Sequence, residues 1–123
     1  MAVVRVALIA GLVLFAPRGA EAHPLAPSVL SFEQHADGAV TMRWRAPSKR
    51  PTGQSLRPLI PEACQPLAPS TIEKTEDGAA VIETTELRCE PPDMLGAVVR
   101  VDGFADSSVS VVVRIARADG DVH

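Results

Sequence analysis

The stretch HADGAVTMRWRAP, residues 35 to 47, decides the fold class. Val40, Met42 and Trp44 alternate with Thr41, Arg43 and Arg45, and a period of two marks a strand with one buried face. Asp37-Gly38 just ahead is a turn signal, because glycine accepts the positive φ that a tight hairpin needs. Upstream, Leu30 and Phe32 point one way and Ser31 and Glu33 the other. The two runs therefore read as one hairpin. Trp44 alternates with apolar Val40 and Met42, so it is expected in the core, packed on a disulfide as in immunoglobulin-like domains.

Beyond this hairpin the chain changes character. Pro47, Pro51, Pro58, Pro61, Pro66 and Pro69 forbid a continuous central strand or helix, since proline fixes φ and lacks an N–H donor. This segment should wrap the domain, with short edge pairing between Ser55 and Ile60. Alternation resumes at Thr71 to Lys74, Asp77-Gly78 turns the chain, and Ala80 to Leu87 runs back toward Cys89. Ala97, Val99 and Val101 make one face of a further strand, Asp102-Gly103 bends it, and Val109, Val111, Val113 and Ile115 make the last. No segment after residue 22 reads as a helix. About seven short strands punctuated by turn residues predict an all-β fold, an antiparallel immunoglobulin-like β-sandwich. A closed barrel is the alternative.

The N-terminus reads as a secretory signal peptide. Arg5 supplies the positive region, Val6 to Phe15 the apolar core, and Ala20-Glu21-Ala22 the small residues before a cleavage site. The core is shorter than the roughly 20 residues a bilayer-spanning helix needs. Cleavage between Ala22 and His23 divides the chain into a signal-peptide helix (1–22) and a β-sandwich domain (23–123). The second part is long enough for one small core. It carries 10 basic and 14 acidic residues, net about −4, which argues against a nucleic-acid partner. Arg43, Arg45, Lys49 and Arg50 form one local basic cluster at a solvated strand end. Export implies an oxidising compartment, periplasmic or extracellular, where two cysteines in a small domain read as a disulfide between Cys64 and Cys89. A metal-thiolate pair is the weaker reading, because neither cysteine has a CxxC companion.

Little here suggests catalysis. The histidines of the exported part sit at its two ends, His23 and His123, and in a turn, His35. Glu83 and Glu86 are placed on a solvated strand face. The glycines are isolated turn residues rather than a phosphate loop. The expectation is a protein that is not an enzyme and holds no cofactor. The sharper alternative is a copper or nickel ion on His23, Asp121 and His123, where the free amine and imidazole of a processed His23 supply donors suited to either metal. Pro24 has no amide N–H to deprotonate, which blocks the backbone-amide type of chelate there.

The final residues, Ala118-Asp119-Gly120-Asp121-Val122-His123, open another hairpin whose second arm is only begun, which suggests a fragment of a longer protein. Such a sheet would expose an edge prone to pairing. The segments AHPLAPSVLSFEQHADGAVTMRWRAP, LRPLIPEACQPL, TTELRCE and VVVRIARADGDVH, in that order, resemble the N-terminal extracytoplasmic region of HupE/UreJ-like membrane proteins. The resemblance covers nearly all of residues 22 to 123. It implies a non-catalytic β-rich ectodomain with a binding or assembly role, possessing as partner either the membrane helices of a full-length homologue or another envelope protein, and hence a membrane association. A second resemblance is to CopC-like copper carriers, exported β-sandwiches with a mature N-terminal histidine and an Asp-x-His pair. His23, Asp121 and His123 match those roles, whereas the disulfide and the pattern between the ends do not.

Overall fold

In the computed structural model, residues 26–50, 55–104 and 109–123 are described. The expected signal segment and its Ala22/His23 junction lie outside them. The described part is all-β, with eight strands: β1 Ser28–Gln34, β2 Ala39–Pro47, β3 Arg57–Pro58, β4 Cys64–Pro66, β5 Thr71–Lys74, β6 Ala80–Cys89, β7 Val101–Asp102 and β8 Val111–Ala116. Six form one sheet in the order β4-β6-β2-β1-β8, with β5 pairing β6 beside β4, and β3 and β7 form a separate ribbon.

The predicted hairpin forms as read. In β1·β2, Leu30 pairs Trp44 and Phe32 pairs Met42, which puts these four side chains and Val40 on one face. Leu30, Phe32, Val40 and Leu87 are fully buried there, and Met42, Trp44 and Ala46 nearly so. Removing a ring such as Phe32 from this cluster costs about 3–5 kcal/mol. Two Asp-Gly turns are built alike. Gly38 has φ 86° and Gly120 φ 93°. Each glycine N–H donates to the carbonyl three residues back, and the aspartate side chain accepts the N–H two residues on, at 3.0 Å from Ala39 and from Asp121.

Three expectations are corrected. The sheet is mixed rather than wholly antiparallel, because β8 lies parallel to β1, Leu30 beside Val113. Alternation specifies which face a residue occupies but not the direction of its neighbour. Second, Trp44 is core but not on the disulfide. It pairs Glu83, and Cys89 lies six residues further along β6, roughly 20 Å at strand rise. Third, Ala97 to Val101 is regular only at Val101–Asp102. Its pairing partner is two residues long, hemmed by Pro58 and Pro61, although Leu59 N–H still reaches Arg100 O at 3.0 Å.

The inner face of the sheet is covered by this ribbon together with Leu56, Met94, Ala97 and Val99. Gly103 is required where the two layers meet: it has φ 94°, and a Cβ there would stand 2.2 Å from Ser55 O. At the other end, Gln34 Nε2 donates to Asp93 O at 2.7 Å, which fixes the loop that delivers buried Met94. The disulfide joins Cys64 of β4 to Cys89 of β6 as directly opposed residues, Cα–Cα 4.0 Å.

Candidate functional site

The second layer is narrower than the sheet, and a groove opens where it falls short. Met42 and Trp44 make its floor, Glu83 and Thr85 of β6 one wall, and Arg57 and Asp102 of the ribbon the other, enclosing about 430 Å³. Smaller clefts continue it on both sides. One shares Trp44, Arg57 and Glu83 and reaches Ile72; the other shares Ile60, Ser70 and Thr85 and reaches Leu67. Strand register explains the composition. Ile72, Glu83, Trp44 and Leu30 lie in one row across the inner face, so the row passes from full burial at Leu30 to 69 % exposure at Ile72.

Proline chemistry sets the far wall. The chain from Pro58 to Pro69 cannot lie down as a long strand, so it crosses above β6 and returns to the sheet only at Cys64–Pro66. Ser70 anchors its end, with its hydroxyl 2.9 Å from that of Thr85. Ile60, Leu67 and Ile72 are left 40 %, 51 % and 69 % exposed around the groove. Apolar side chains gathered around a cleft with a few charged groups are the ordinary makeup of a binding surface. Arg57 and Glu83 on opposing walls give it a cation and an anion above an apolar floor.

The sequence missed this groove for a definite reason. Glu83 and Glu86, taken together as solvated, occupy opposite faces of β6: Glu83 pairs Trp44 on the inner face and Glu86 pairs Thr41 on the outer. On the outer face Thr41 bridges two ionisable groups. Its hydroxyl donates to the Glu86 carboxylate at 2.9 and 3.0 Å. A threonine has one proton to give, so His35 Nε2, 2.7 Å from the same oxygen, must be the donor there. Threonine, not histidine, holds the middle position, which is not the order of a nucleophile–base–orienter relay.

The candidate metal residues are not brought together among the described ones. His23 lies outside them. Asp121 and His123 are exposed on the short arm after the Asp119-Gly120 turn, where Arg117 N–H donates to Asp121 O and Ile115 and His123 exchange both backbone bonds. Being two residues apart, they share a face of that arm. β1 begins beside Val111, at the end of β8 away from the arm. Ser28 is thus about 13 Å from the level of Ile115 at strand rise. Among the described residues no group of three His, Cys, Asp or Glu side chains is placed to hold a metal. Comparison with protein-family models, with curated proteins and with solved structures gives no match to this chain.

Proposed function

We propose that this chain is an exported, non-catalytic binding or assembly module, the extracytoplasmic domain of a HupE/UreJ-like membrane protein. In this reading the six-stranded sheet is one leaf of an immunoglobulin-like sandwich, and the β3·β7 ribbon with residues 94–101 is the other. The observation that carries it is the groove rimmed by exposed Ile60, Leu67 and Ile72 over the Trp44 floor. A disulfide across β4 and β6 suits an oxidising compartment. The partner is a surface of the membrane portion of such a protein, or of another envelope protein, that offers apolar side chains to the rim. A photo-crosslinker at Ile72 or Leu67 should yield a discrete adduct in the membrane fraction, while one at Arg88 on the outer face should not. Mass spectrometry of the same material should find His23 as the first residue. Adducts from Arg88 alone would overturn the reading.

The rival is a CopC-like copper or nickel binder. What favours it is the shared face of Asp121 and His123, which leaves two donors side by side in solvent. It requires residues 23 to 27 to turn back along β8 so that His23 joins them. Calorimetry with Cu²⁺ and Ni²⁺ should then give one equivalent, lost in both His23→Ala and His123→Ala. Binding only at millimolar metal would end it.

A further inference from the structure

One residue of the groove is out of keeping with the face it stands on. Along the inner face of β1, β2 and β6 every side chain is apolar or uncharged except that of Glu83. Glu83 is half-buried, with Trp44 directly opposite on one side and Ile72 on the other. A carboxylate turned inward loses part of its hydration, a cost that a paired cation offsets.

The groove does not supply that cation itself. Among the described residues the Glu83 carboxylate has no hydrogen-bond or ion-pair partner. Arg57 stands on the opposing wall of the same cavity of about 430 Å³. Its directly opposed residue in the β3·β7 ribbon is Asp102, which lines that wall too, and opposite charges facing each other across a strand pair offset one another. Arg50 lines only the adjoining cleft, toward Ala46. Two carboxylates against one guanidinium leave the central cavity with negative charge in excess, above the apolar floor of Met42 and Trp44.

We infer that the partner segment entering the groove is extended and carries an arginine that binds Glu83, with aliphatic side chains two places before and after it. The inference rests on the groove being the binding surface and adds what that surface selects. A guanidinium has five N–H donors in a planar fork, which suits carboxylates on two walls better than a point-like ammonium does. Its aliphatic stem can lie along the apolar floor. The clefts on either side reach Val81 and Thr85, one two-residue step along β6 from Glu83 in each direction. Side chains two places apart on an extended segment have that same spacing. An acidic residue at the central place would instead set a third carboxylate beside Glu83 and Asp102.

Trp44 is the only tryptophan of the chain, so its fluorescence and its indole N–H resonance report on the groove floor. The probe is the blocked peptide acetyl-Leu-Ser-Arg-Ser-Leu-amide, titrated into the purified, disulfide-bonded protein. Its control carries citrulline in place of arginine, which keeps the shape and removes the charge. The arginine peptide should perturb the Trp44 signal and bind about tenfold or more tightly than the control, the scale of a charge-assisted hydrogen bond. Glu83→Gln should bring the two peptides to within about twofold of each other while leaving the affinity for the citrulline peptide nearly unchanged, as a direct pairwise contact requires. Equal affinity for the two peptides in the parent protein, undiminished selectivity in Glu83→Gln, or no Trp44 response at millimolar peptide would overturn the inference. Crosslinks at Ile72 and Leu67 alongside equal peptide affinities would overturn it while the groove remains the binding surface, so the two readings fail separately.

Discussion

The two margins of the one sheet are finished in opposite ways. On the β6 side, β4 is three residues ending in Pro66, and β5 is four residues with Glu73 and Lys74. Shortness, proline and charge are the devices that stop an edge from recruiting strands, and here a disulfide is added. On the β1 side, β8 has three consecutive valines, a single charge and no proline. The contrast teaches that this sheet gathers its protective devices on the margin that is held covalently and carries none of them within β8.

That contrast can be broken most forcefully at its closed end. Replacing Cys64 and Cys89 together by serine should lower stability by about 3 kcal/mol, the chain-entropy value for a loop of this length, read by denaturant unfolding with and without reductant. Gly103→Ala comes next. Its Cβ would meet Ser55 O at 2.2 Å from a positive φ, and a cost of about 1–3 kcal/mol is expected. Loss of slow exchange at Leu59, which donates across the ribbon, would locate the damage in the second layer. At the open end the effect should nearly vanish. Val113→Lys, on a half-exposed edge residue, should stay within about 0.5 kcal/mol of the parent. A loss as large as that of the cysteine pair would show that β8 is core rather than margin.

The smallest effect concerns the β5·β6 turn. Asp77 accepts the Thr75 hydroxyl at 2.7 Å and the Ala79 N–H at 2.9 Å. These bonds, the hydroxyl first, hold its carboxyl below the ordinary value of 3.8. A carboxylate with a depressed folded pKa contributes stability that is present above its unfolded pKa and lost as pH falls through the folded one. Thr75→Val should therefore remove a little stability at neutral pH and flatten the acid limb below about pH 4. It should leave the β8 amides untouched.

Much of the fold was legible. Residues 35 to 47 announce β2 because apolar and polar side chains alternate without a break, and the Asp-Gly pairs announce turns because their glycines need positive φ. Pairing between Cys64 and Cys89 followed from their number and setting. Partnership between strands was not legible: β8 joins β1 in parallel after the chain has passed through the second layer, and alternation carries no record of that. The groove was hidden for a related reason. Glu83 and Thr85 interrupt the apolar positions of β6 on its inner face, so this strand reads as two-sided polar. Only the crossing of the proline-rich segment shows that those side chains line a cleft.

Hydrogen exchange along β8 of these 123 residues tests the contrast between the two margins most directly. Amide protons that enter the β1·β8 ladder should be protected and those aimed outward should not, so Val112 and Arg114 should exchange slowly and Val111 and Val113 fast, with Ile115 slow again through His123. Uniform protection from Val111 to Ile115 in the monomer would contradict it.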